Sequence, residues 1–183
     1  MLWIISGPSS IGKSTFIRSG KCSDLTGLPP ETPVLKPKNR PGLDPRLLGG
    51  ADCFVHYNIL RPVSLFAKRE ATSATPSEQF RSRSTQFAAD PWWVEFSERA
   101  ATKQAIVLVA NLVSILKRAG ARADYKVEYW QNLYTKLQLP QIYRAWFSEL
   151  DRHHIPVLLV DATGTNYPRL DADAALGIID RDS

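Results

Sequence analysis

Gly7, Pro8, Ser9, Ser10, Ile11, Gly12, Lys13 and Ser14 form the run G-x-x-x-x-G-K-S, with Thr15 directly behind it. These residue types in this order suit the holding of a chain of phosphates. Glycine lets the backbone curl until successive N–H groups point inward at phosphate oxygens. A helix beginning near Lys13 adds its positive end. Lys13 can then reach the β- and γ-phosphates of a nucleoside triphosphate, and the Ser14 hydroxyl can ligate Mg²⁺. A glycine turn with a chance lysine is the competing reading. It fits poorly, because the short apolar run "LWII", rich in strand-forming residues, precedes the motif as a strand and a helical pattern follows it. ATP with Mg²⁺ is the expected ligand pair.

A second group of candidates follows from where open α/β sheets bind their ligands, at the carboxyl ends of the strands. The run "DCFVHYNIL" reads as a strand, which puts His56, Tyr57, Asn58 and Arg61 beside the ligand and Asp52 at the opposite end. His56 titrates near neutrality when unperturbed, so it can take a proton from an acceptor hydroxyl; it can equally be a buried ring satisfied by backbone. Asp52 is a second candidate base if the strand starts later. Asp44, in a proline-rich loop, is a third. Arg61 can hold a phosphate or carboxylate of the acceptor, or cap the turn before Pro62. Asp161 can border the nucleobase or form an Asx turn. His153 and His154 close a helix and have no third ligand at metal spacing. Trp92, Trp93 and Phe96 read as core rather than as a stacking wall.

These groups need a frame to hold them. Five further runs read as strands or helices around the motif. "PVLK" is a short strand, "QAIVLVAN" a buried one by its continuous aliphatic character, and "IPVLLVDA" the last. "YKVEYWQNLYTKL" and "PQIYRAWFSELDRHH" are helical, with Trp130, Leu133, Tyr134 and Leu137 sharing one face and Ile142, Tyr143, Trp146, Phe147 and Leu150 another. Strands alternating with helices predict a parallel sheet of about five strands covered on both faces. The chain reads as a single domain over 1–183, with a proline-rich insertion at 24–50 and a mobile polar loop at 71–91.

The 183 residues are 44% hydrophobic and 22% charged, an ordinary globular composition. Lysine and arginine exceed aspartate and glutamate by 23 to 18, a net charge of +5 without a long basic run, so nucleic acid is not an expected partner. The longest apolar stretch is too short to span a bilayer. The first residues carry no basic n-region or cleavage site. Cys22 and Cys53 form no C-x-x-C pair and read as reduced thiols. Together these predict a cytoplasmic protein, with the oligomeric state open, a homodimer included.

"SGPSSIGKST" resembles the opening of P-loop nucleoside and nucleotide kinases. "VEYWQNLYTKLQLPQIYRAWFSELDRHHIPVLLVDA" is similar to the late helices and final strand of the deoxynucleoside kinases, and "AIVLVANLVSILKRAGARAD" to their strand, helix and arginine-bearing lid. The resemblance covers about half of the chain. It implies a P-loop NTPase three-layer α/β/α sandwich with a lid. It also implies lid roles for Arg118 and Arg122, which would neutralise the phosphoryl oxygens as the bond to the leaving group breaks. Related kinases carry an acidic residue near the tip of the strand that here reads "FVHYN"; this chain does not. The expectation is therefore an ATP- and Mg²⁺-dependent kinase acting on a small-molecule acceptor, with Lys13, Arg118, Arg122, His56 and Asp52 as candidate catalytic residues. Its rivals are a sulfotransferase of related fold and a nucleotide-binding regulatory module.

Overall fold

The computed structural model describes residues 1–37, 42–64, 66–121 and 127–182. Its centre is a six-stranded sheet: β1 (Leu2–Gly7), β2 (Val34–Leu35), β3 (Cys53–Asn58), β4 (Lys103–Val109), β5 (Val157–Asp161) and β6 (Arg169–Leu170), in the order β2-β3-β1-β4-β5-β6. The first five run parallel, and β6 closes one edge antiparallel to β5. This is an α/β fold with a mostly parallel sheet, compatible with a three-layer arrangement. The four longer runs expected as strands are present. The sixth strand was not expected, because two residues after a turn-rich loop carry no periodic signal.

Sequence character explains the layout. All six residues of β1 are buried, as a central parallel strand flanked on both sides requires. Pro33 and Pro37 bracket the two-residue β2, since proline cannot donate to a ladder, and confine it to the sheet edge. The chain leaves β1, travels out to β2, returns to β3, then crosses to β4 on the far side of β1. The connections therefore diverge at the carboxyl end of β1, where such sheets open a crevice.

Helices fill those connections: α1 (Lys13–Arg18), α2 (Lys21–Thr26) and α3 (Pro45–Leu48) before β3, then α4 (Ala67–Thr72), α5 (Glu78–Arg83) and α6 (Pro91–Arg99) before β4. After β4 come α7 (Leu112–Gly120), α8 (Val127–Tyr134) and α9 (Leu139–Arg152), and α10 (Ala172–Ile179) follows β6. The apolar faces expected on α8 and α9 are buried, apart from the half-buried Phe147. Trp92, Trp93 and Phe96 of α6 are core residues. Tyr57 stacks on Trp146 of α9 at 4.9 Å between ring centroids and on Trp92 at 5.9 Å. Trp146 Nε1 donates to Ser6 Oγ at 3.0 Å, tying α9 to β1.

The stretch 71–91 differs from the mobile loop expected of it. It holds α5 and a 3-10 turn, anchored by the buried rings of Phe80 and Phe87. The fully buried Glu70 carboxylate accepts from Ser77 N and Ser77 Oγ, and Ser77 Oγ in turn accepts from Phe80 N, so the polar residues there are capping groups. The stretch 24–50 likewise carries the end of α2, β2 and α3. No described helix is long and apolar enough to cross a membrane. Both cysteines are free and buried, and burial pushes the Cys22 thiol up to about 12, which leaves it unreactive near neutrality.

Candidate functional site

The Gly7–Ser14 loop joins the end of β1 to α1 through alternating backbone hands. Gly7 has φ 146, Ser10 φ 62 and Gly12 φ 101. At Gly7 a side chain is excluded by space as well, since a Cβ would lie 3.1 Å from Leu108 O and from Ile11 Cγ2. Ser10 is a non-glycine residue in left-handed backbone, a conformation that costs free energy unless its surroundings impose it. Ile11 supplies the anchor below, fully buried.

No backbone oxygen among the described residues accepts from the N–H groups of Gly12, Lys13, Ser14 or Thr15. The Ser10 hydroxyl is also buried without a partner. A row of donors free at the first turn of a helix is what a curled loop offers an anion. Because α1 is only six residues long, these donors and the lysine, more than the helix dipole, make the loop electropositive.

Lys13 is 4% exposed, and its Nζ donates to the carbonyls of Gly7 at 2.7 Å and Pro8 at 2.6 Å. It is folded back on its own loop and has no carboxylate partner among the described residues. Above it lies a hollow of about 720 Å³, within the range of small-molecule sites, lined by Ser9, Ser10, Gly12, Lys13, Ser14 and Thr15 on one side and by Arg18, Lys36, His56, Asn58, Arg118 and Ala121 on the others. Four of these are cations, and no acidic residue lines the hollow among the described residues.

Burial lowers the Lys13 pKa from 10.5 to about 7. The sign of the linkage follows. Between about pH 7 and 10.5 the unfolded chain holds a proton that the native state releases, so the stability of the ligand-free protein rises with pH through that window. Below pH 7 the charged group is buried at full cost. Lys13→Met should flatten this rise, which urea midpoints at pH 7 and pH 9 will measure.

The strand tips supply the remaining groups. The β1–β3 register places Gly7 opposite Asn58 and Ile5 opposite His56. Asn58 Nδ2 donates to Ser9 Oγ at 3.0 Å, while its Oδ1 accepts from Leu60 N at 3.1 Å. His56 Nε2 lies 3.3 Å from Ser14 Oγ. Burial first, then the Lys13 charge, lowers the His56 pKa from 6.5 to about 4, so the ring is neutral at pH 7 and a weaker base than its ordinary value promises. It stands beside the hydroxyl expected to hold the metal.

Arg118 bridges two segments, donating to Ile11 O at 2.9 Å and Gly164 O at 2.8 Å. It thus ties the loop to the segment after β5; Arg122 lies outside the described residues. Asp52 is a correction. It flanks the amino end of β3, pairs with the Met1 amino group, and is separated from the hollow by the length of the strand, about 20 Å at the rise of an extended chain. Arg61 is corrected too. Its guanidinium is committed to Asp90, at 2.8 and 3.2 Å. Asp161 accepts from Thr163 N and Oγ1 at 2.7 and 2.6 Å, an Asx turn. His153 faces Glu149 at 3.2 Å. Asp44 caps α3 and holds Arg46 at 2.9 and 2.7 Å. It lines a second hollow of about 590 Å³, walled by Leu35, Leu43, Leu47 and Trp92, which shares Lys36 with the first.

Sequence reasoning missed Lys36, Arg18 and Tyr134 as site residues. Arg18 was findable, one helical turn past Ser14. Lys36 ends the "PVLK" strand at its carboxyl tip. Tyr134 carried the pattern of a core residue, yet its hydroxyl donates to Ser9 O at 2.7 Å across 125 residues of chain. Tyr134→Phe removes that hydroxyl and should cost about 1 kcal/mol of stability, with the affinity of the loop for a phosphate-bearing ligand falling a few-fold. Denaturant titration and calorimetry give both numbers.

Compared with known proteins, the chain matches no protein-family model and no curated sequence. The functional reading rests on the geometry above.

Proposed function

We propose that this chain has a P-loop NTPase fold and is a phosphotransferase that moves the γ-phosphoryl group of ATP to a hydroxyl or phosphate of a small molecule. The observation that carries the reading is the buried Lys13, held by loop carbonyls beneath a hollow whose backbone donors lack acceptors. On binding, Lys13 exchanges its two carbonyls for β- and γ-phosphate oxygens. The amides of Gly12 to Thr15 take the remaining oxygens, and Arg118 approaches the transferring group from the α7 side, with Arg122 joining it by resemblance.

Mg²⁺ fits the donors at hand. It takes few protein ligands, keeps water and prefers oxygen, and the Ser14 hydroxyl faces the hollow where phosphates would supply the rest. The ion, when bound, neutralises charge on the phosphates. The acceptor is placed toward the second hollow, because Lys36 borders both cavities and can follow charge from one to the other.

A second reading, a nucleotide-binding module without transfer, is favoured by the neutral His56 at the β3 tip and by the lack of a carboxylate among the described lining residues. An acceptor screen with γ-labelled ATP separates the two. Label appearing on a small molecule supports transfer; tight ATP binding with no label moved to any acceptor supports the module.

A further inference from the structure

We infer that His56 Nε2 is a direct ligand of the divalent ion that accompanies the nucleotide, and that the site therefore favours Mn²⁺ over Mg²⁺. The inference rests on the nucleotide reading above and specifies its metal. Two side-chain donor atoms near the loop face each other at hydrogen-bond distance, Ser14 Oγ and His56 Nε2, 3.3 Å apart. Adjacent ligands of an octahedral ion with bonds of about 2.1 Å lie about 3.0 Å from each other, so a small closure brings both onto one centre.

The nearby amide and carboxylate oxygens are engaged elsewhere. Asn58 Oδ1 accepts from Leu60 N, Asp161 holds Thr163, and Asp90 holds Arg61 and Tyr57. No carboxylate lines the hollow among the described residues. The described residues also contain no group of three or more His, Cys, Asp or Glu able to hold a metal, so the ion depends on phosphate oxygens to complete its shell. A nitrogen donor in place of a carboxylate changes selectivity. Imidazole suits first-row transition ions, whereas Mg²⁺ prefers an all-oxygen shell.

The test uses the whole chain with the β,γ-methylene analogue of ATP and either ion. Pulsed electron paramagnetic resonance of the Mn²⁺ complex, on protein labelled with ¹⁵N only at histidine, should show ¹⁵N coupling to the metal. Calorimetry should give about 10-fold tighter analogue binding with Mn²⁺ than with Mg²⁺. His56→Phe should erase that ratio, and His56→Asp should reverse it. Binding that disappears in Lys13→Ala but shows no histidine coupling in the wild-type complex overturns this inference and leaves the nucleotide reading standing. Absence of analogue binding with either ion overturns both. The same coupling measured on a chain carrying His153→Gln and His154→Gln, where His56 is the remaining histidine, needs no His56 variant and decides the matter even if the His56 substitutions unfold the chain.

Discussion

Lys13→Ala is expected to weaken ATP binding by roughly 100-fold, about 3 kcal/mol, and to remove ATP consumption in proportion. The size follows from burial. Lys13 is 4% exposed, so its attraction for phosphate is poorly screened by water, and its removal leaves phosphate oxygens without that cation. The fold should survive. Among the described residues Lys13 bonds to the Gly7 and Pro8 carbonyls, and it borders a hollow from which water can reach them once the side chain is gone. Deleting a buried charge also relieves its desolvation cost. The expected pattern is thus a large loss of affinity with a melting temperature close to wild type. A variant that bound ATP normally would remove the loop from the account; one that unfolded would make Lys13 a structural residue.

Asp90→Ala is expected to produce the largest loss of stability, about 3–5 kcal/mol, lowering the melting temperature by roughly 10 °C. Asp90 is 4% exposed and accepts from Tyr57 OH at 3.0 Å, from Arg61 at 2.8 and 3.2 Å, and from Trp92 N at 3.2 Å as the cap of α6. Its removal strands a guanidinium that is 16% exposed and a buried phenol together. Asp90→Asn keeps the cap and the tyrosine bond and loses the ion pair, so its cost should fall between wild type and alanine. Differential scanning calorimetry on the three proteins ranks them. Equal melting temperatures would mean that the network contributes nothing net. Tyr57 and Arg61 sit at and just beyond the tip of β3, so Asp90→Ala should also loosen the groups around His56.

How much of this was written legibly in the chain depends on range. The Gly7–Ser14 loop and the strands β1, β3, β4 and β5 are local signals, a spaced motif and continuous apolar runs, and they read directly. The faces of α8 and α9 follow from helical spacing. What sequence hides is partnership at a distance. Arg61 and Asp90 are 29 residues apart, and nothing near Arg61 announces that its charge is already taken. The Asp-Pro pair at 90–91, a cap followed by a first-turn proline, marks the start of α6 but says nothing of the ion pair. Phe80 and Phe87 lie in so polar a stretch that two buried rings were outweighed by their neighbours, and α5 was read as loop. The same holds at the carboxyl end, where Asp171 caps α10 through Ala174 N at 2.8 Å, a cap-then-apolar pattern that was open to reading. The lowered pKa values of Lys13 and His56 are products of burial, a property of the assembled sheet and not of either residue.

The central claim is that the amides of Gly12, Lys13, Ser14 and Thr15 receive the phosphates of a nucleoside triphosphate. The most direct measurement is the ¹H–¹⁵N spectrum of the labelled chain, titrated with ATP and Mg²⁺. The account predicts that these four amides show the largest shifts and become the most slowly exchanging of the loop, with adenosine 3′,5′-bisphosphate producing smaller changes. Shifts confined to other residues, with the Gly12–Thr15 amides unmoved at saturating ATP, would contradict it.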